Sequence, residues 1–194
     1  MTPEAREARE AQIAEAAYAI LAEKGFAGLS MLAVAKRAKA SNETLYRWYG
    51  DKTGLFRALI LRNAAQVTAR LEDLPDAQDE VLESLGAALL DMLLSPRAVA
   101  LNRAAAAEPS NALGAVLAEA GRGTVFPRLR TVFDRLVAEG TVQGPAEEAA
   151  ALWVDLLVGD WQLRLVTGAM APPGPEARAA RVARAARGVH ALQA

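Results

Sequence analysis

From Ser41 to Lys52 the chain reads Ser-Asn-Glu-Thr-Leu-Tyr-Arg-Trp-Tyr-Gly-Asp-Lys, a run dense in groups that can meet a nucleic acid. Arg47 offers a planar fork of N–H donors that fits guanine or a phosphate, and Thr44 suits a thymine methyl or a phosphate. Glu43 can accept from the cytosine amino group, or serve only as a negative charge at a helix start. Asn42 adds a further donor and acceptor. Tyr46 and Trp48 are large amphipathic rings suited to lie along a sugar-phosphate wall. Lys52 opens the following segment, where its charge would add to unpaired backbone N–H groups and favour one phosphate. Ser41 and the earlier Ser30 stand where helix caps are expected, and Ser30 gives a second helix start of the same kind.

These side chains work together only if a helix presents them, and the surrounding apolar spacing supplies one. Ile13, Ala17, Ile20 and Leu21 recur at helical intervals, and Gly25 stops that first helix. Ser30 then opens a short helix whose inward face is Val34, Ala35 and Ala38. A break follows at Lys39-Ala40. Ser41 caps a second short helix, with Leu45 and Tyr49 inward and Asn42, Glu43, Thr44, Tyr46 and Arg47 outward; Trp48 is grouped with Tyr46 as a backbone contact. Gly50-Asp51 ends it, and Asp51 caps a longer helix carrying Leu55, Phe56, Leu59, Ile60, Ala64 and Val67. Two short helices joined by a tight turn therefore lean on two longer ones. From Lys24 to Arg57 the bases are Lys24, Lys36, Arg37, Lys39, Arg47, Lys52 and Arg57 against only Glu43 and Asp51, although the whole chain carries a net charge of −1. Such a local excess is the footprint that phosphate binding requires.

The elements Gly25-Phe26-Ala27-Gly28-Leu29-Ser30 and Val34-Ala35-Lys36-Arg37-Ala38, followed by Ser-x-x-Thr-Leu-Tyr-x-Trp-Tyr-x-x-Lys-x-x-Leu-Phe over residues 41–56, resemble the TetR family of transcriptional regulators. The resemblance spans about forty residues. It implies an all-α fold: an N-terminal three-helix helix-turn-helix unit (1–50), a connecting helix (51–74), and a C-terminal helical ligand-binding and dimerisation domain (75–194). It implies DNA contacts from Ser30, Lys39, Ser41, Asn42, Glu43, Thr44, Tyr46, Arg47, Trp48 and Lys52. The implied partners are a double-stranded DNA operator, an unidentified small-molecule effector and a second copy of the chain. The sequence departs from the family at the turn, where glycine is usual and Lys39 stands instead, in a position expected to need positive φ.

Beyond the composition change near Leu71 to Pro75, apolar spacing places helices at about 78–94, 96–107, 110–120, 124–139, 145–167 and 175–192. Leu152 to Trp161 is apolar nearly all round, so it is buried on most sides. The resemblance makes the helix at 145–167 half of a dimeric four-helix bundle, with the last helix as its partner. Asp160 and Arg164, four residues apart, read either as a local ion pair or as polar handles in an effector pocket. Asn102, Arg103 and Glu108 carry the same two readings, and Trp153 would help line such a pocket.

The chain has 194 residues, no cysteine and one histidine, His190. Disulfides and thiolate metal sites are excluded, and a His-based metal site or triad is disfavoured. No cofactor, metal or catalytic cluster is expected. No apolar run reaches the roughly 18 residues a membrane span needs, which points to the cytoplasm. The rival reading is a helical enzyme or small-molecule carrier whose N-terminal helices only pack. It leaves the basic stretch and the exposed Arg47 and Lys52 without a purpose.

Overall fold

The structure, a computed structural model, describes residues 2–75 and 78–191, without the side chains of Gln66, Gln78, Asp79, His190 and Ala191. It is helical, with no strand among the described residues: α1 (Pro3–Gly28), α2 (Met31–Arg37), α3 (Asn42–Tyr49), α4 (Lys52–Glu72), α5 (Gln78–Leu93), α6 (Pro96–Ala106), α7 (Ala112–Leu117), α8 (Gly123–Ala138), α9 (Ala146–Val158), α10 (Trp161–Thr167) and α11 (Pro175–Ala191). The expectations for His190 and Leu192 fall outside what is described.

Two compact units share the chain, one made of Met1–Asn63 with Pro96–Gly121, the other of Ala64–Ser95 with Arg122–Ala194. In the first, α1 starts on Thr2, whose Oγ1 accepts the Ala5 N–H at 3.3 Å. It breaks at Gly25, where φ is 63° and only glycine sits without strain, before a last turn to Gly28. Ile13, Ala17, Ile20 and Leu21 are buried, as their spacing requires. They meet Val34 and Ala35 of α2 with Ala38 just after it, Leu45 of α3, and Leu55, Phe56, Leu59 and Ile60 of α4 in one core. The Tyr18 hydroxyl crosses that core to donate to the Leu59 carbonyl at 2.5 Å.

That core extends past the short helices. Ala100, Leu101, Ala104 and Ala105 of α6, with Leu113 and Ala120, complete it. The alanines let α6 lie close against α1. The contact units thus cut across the boundary expected near residues 71–75, because a stretch assigned to the C-terminal region closes the far side of α1.

In the second unit α9 packs on α5, α8 and α11. Gly86 permits the closeness, since a Cβ there would lie 3.0 Å from Val182 Cγ1 and 3.4 Å from Trp153 Cζ2. Two helix boundaries differ from the sequence expectation. The helix expected at 145–167 is broken at Gly159 (φ 49°), giving α9 and α10. The break expected at Gly121 to Gly123 is instead a π-helical turn, Ala118–Arg122, running directly into α8. Buried Leu113, Ala120, Val125 and Leu129 hold the helical path there, so packing overrides the low propensity of the two glycines.

Candidate nucleic-acid interface

The turn between α2 and α3 sets how α3 is presented. Ser30 Oγ accepts the Ala33 N–H at 3.1 Å, so α2 starts where expected. The chain leaves α2 through Lys39, whose φ of 51° is the left-handed conformation anticipated from the missing glycine. Arg9 of α1 reaches the same turn, with Nη1 3.4 Å from the carbonyls of both Ala38 and Lys39 and 3.1 Å from Gln12 Oε1. Ser41 then caps α3, accepting the Thr44 N–H at 3.0 Å, and its hydroxyl pairs with that of Thr44 at 2.7 Å.

Leu45 is fully buried and anchors α3. Asn42, Glu43, Tyr46 and Arg47 are exposed, Tyr46 by 51%, so the polar face lies open along the helix. Thr44 is half-buried, its hydroxyl engaged by the cap.

Trp48, expected along the sugar-phosphate wall, is half-buried against the core, edge-on to Tyr49 at 6.4 Å, with the Arg6 guanidinium 5.4 Å from its ring centre. Residues 45, 48 and 49 form one i, i+3, i+4 stripe, and that stripe is the inward face. Tyr49 shares it half-buried, and burial pushes its phenol pKa up.

The basic stretch separates into two groups. Arg37 grips Glu23 with two bonds of 2.6 and 2.7 Å, and Arg57 grips Glu119 with bonds of 2.7 and 3.0 Å. Those cations hold helices of the first unit together. Lys36, Lys39 and Arg47 stand exposed beside the turn and α3.

Lys52 is neither fully exposed nor ion-paired in any contact described. Its Nζ lies 3.7 Å from the ring centre of Phe26, and desolvation lowers its pKa. Phe26 in turn meets Phe56 edge-to-face at 5.6 Å. The start of α4 also carries its own carboxylate cap, Asp51 Oδ1, which accepts the Gly54 N–H at 2.7 Å.

Sequence reasoning missed Gly54. A Cβ at this position would lie 2.0 Å from the Tyr49 carbonyl oxygen, so the end of α3 passes over the first turn of α4 only because residue 54 has no side chain. A glycine two residues inside a helix that otherwise starts well was the available signal.

The expected effector residues are divided between the two units. Asn102 donates to the Ala98 carbonyl of its own helix at 2.9 Å, and Arg103 is exposed. Glu108 closes the turn before α7, accepting from the Ser110 N–H and hydroxyl at 2.9 and 2.8 Å; those bonds hold its carboxyl below the ordinary range. These three belong to the first unit. In the second, Trp153 is fully buried against Phe133, ring centres 5.8 Å apart, and its Nε1–H has no acceptor. Asp160 and Arg164 form the local ion pair at 3.7 Å, both exposed, so they do not share Trp153's surroundings. Among the described residues no three His, Asp or Glu side chains group as metal ligands.

Two short helices, a strained turn, an apolar anchor and an open polar face define a helix-turn-helix DNA-binding protein. Comparison with known proteins agrees. A model of bacterial regulatory proteins of the tetR family matches residues 13–59, and one for the C-terminal domain of AefR-like transcriptional repressors matches residues 80–191. The chain belongs to the TetR family of ligand-responsive, DNA-binding transcriptional regulators. A TetR transcriptional regulator from Agrobacterium tumefaciens is 27% identical over 99% of this chain and 95% of its own, with a TM-score of 0.75. A TetR-family protein from Mesorhizobium loti is 23% identical over 99% and 98%, with a TM-score of 0.80. The flavonoid-responsive regulator FrrA is 24% identical over 96% and 97%, at a TM-score of 0.69. FadR from Bacillus subtilis, solved with stearoyl-CoA, is 14% identical over 92% and 96%, at 0.72. The likenesses at 24% and below speak for the fold alone. No curated protein sequence gives a significant match. Among the described residues no single helix is long and apolar enough to cross a membrane.

Proposed function

We propose that this chain is a cytoplasmic repressor that binds a palindromic operator as a homodimer and is released by a small organic effector. The observation that carries the reading is the open face of α3, where Asn42, Glu43, Tyr46 and Arg47 are exposed on a helix pinned by buried Leu45. A helix held by one apolar residue, with polar side chains outward, fits a major groove. In this reading Asn42, Glu43 and Arg47 meet base edges. Ser30, Lys39, Ser41, Thr44, Tyr46 and Lys52 fix the unit on the backbone, and Trp48 acts from behind by seating α3. Residues 1–50 read DNA, 51–74 connect, and 75–194 sense and dimerise.

The effector is proposed to present a large apolar surface. The second unit buries no polar or charged residue among those described, apart from the indole N–H of Trp153. FrrA's flavonoid response and the stearoyl-CoA of FadR are consistent with that chemistry. A carrier or enzyme with an idle N-terminal unit is disfavoured by the exposed cations Lys36, Lys39 and Arg47 on that unit's surface.

Selection of tight-binding duplexes from a random pool tests the proposal. An inverted repeat with half-sites about one turn of DNA apart, or a multiple of that, is expected. A chain that retains no duplex, even at low salt, is not a repressor.

A further inference from the structure

Lys52 is held in an unusual way for a surface cation at a helix start. Its ammonium lies over the face of Phe26, 3.7 Å from the ring centre. The ring does not choose its own position. Gly25, at φ 63°, breaks α1 immediately before it, and an edge-to-face contact with Phe56 fixes it at 5.6 Å. Phe56 is itself fully buried in α4, the helix that carries Lys52. A closed loop of contacts therefore runs from Lys52 to Phe26 to Phe56 and back along one turn of α4.

We propose that Phe26 is a positioning residue for DNA binding: its ring holds the Lys52 ammonium in place for a phosphate. This rests on the DNA-binding reading above. A free lysine must give up rotamer freedom to meet a phosphate, whereas a lysine already seated on a ring has surrendered most of it. One side of the ammonium faces the ring, and N–H donors on the other remain for an oxygen. The side chain of a first-turn residue also points back past the helix start, toward the backbone N–H groups there. Desolvation of Lys52, which lowers its pKa, accords with a group held against an apolar face.

A double-mutant cycle on a random-sequence 30-base-pair duplex tests this, because phosphate contacts do not depend on sequence. Phe26→Leu keeps apolar volume but removes the ring face, and should weaken binding about two- to fivefold in the presence of Lys52. In a Lys52→Ala background the same change should have no further effect, and Phe26→Tyr should restore binding to within about twofold of wild type. The Lys52 Hε protons should show an upfield ring-current shift in the free protein, lost in Phe26→Leu. Equal losses from Phe26→Leu in both backgrounds, or Hε protons without that shift, overturn the positioning role while leaving the DNA reading intact. If wild type binds no duplex at low salt, the DNA reading fails and this inference fails with it.

Discussion

Lys39 holds a backbone angle, φ 51°, that an L-residue with a Cβ adopts at a cost of about 1 kcal/mol. The lysine is exposed beside α3, where its charge would face the DNA backbone. Lys39→Gly should therefore raise stability by roughly 1 kcal/mol in urea unfolding. It should also lower the slope of log affinity against log salt by about 0.9, the loss of one phosphate contact. An unchanged slope would remove Lys39 from the interface. Tyr18 gives a pH signature. Burial raises its phenol from the ordinary 10.0 to about 12. A group raised on folding contributes stability that is complete below its unfolded pKa and lost as pH rises through the folded one. Wild type should thus lose stability between pH 10 and 12 more steeply than Tyr18→Phe. At neutral pH that mutant should be weaker by about 1 kcal/mol for the lost bond to Leu59. Parallel pH profiles would show that the phenol is not held as described. The left-handed Lys39 was legible because the resemblance puts a glycine at that turn, and a residue standing in its place inherits the same backbone angle. The seat of Trp48 was not, because the inward face was counted from Leu45 and Tyr49 alone. Position 48 lies one turn on from Leu45 and directly beside Tyr49.

At the level of elements, the corner between α3 and α4 decides how the reading helix is tilted. It is built on the absent side chain of Gly54, with the Tyr49 carbonyl in the place a Cβ would take, 2.0 Å away. Gly54→Ala should cost about 1–3 kcal/mol by thermal melt and reduce duplex affinity further than Thr53→Ala, whose side chain is exposed. If both alanine variants melted and bound alike, the corner would have slack. Helix identity was largely readable, since the apolar spacing of α1 to α4 and the serine and aspartate caps of α2 to α4 are local signals. Where helices end was less so. Gly159 breaks the apolar run of 145–167, but a lone glycine inside a helical pattern is ambiguous. Gly121 and Gly123 resemble a stop yet lie in a continuous helical path, because burial of Ala120 and Val125 outweighs their propensity.

For the molecule as a whole, α10 leaves Leu163 66% exposed. If residues 145–167 form the two-fold interface, Leu163→Glu should shift sedimentation toward monomer and weaken binding to an inverted repeat by tenfold or more, with the helical content intact. A wild-type monomer that binds a full operator tightly would contradict that arrangement. The effector site was the least legible part, because Asn102, Arg103, Trp153, Asp160 and Arg164 were linked only by polarity and a distant resemblance. In the fold each already answers to a neighbour of its own, except the indole N–H of Trp153. The unit that carries α3 is also discontinuous in sequence, since α6, α7 and Ala120 from Pro96–Gly121 close its core against α1. Its two parts must consequently match in any chimera. A recombination joint near Pro75 would set one parent's α1 against the other's α6 within a single core. New operator specificities built by grafting must carry both segments from one donor, or change only the exposed face of α3.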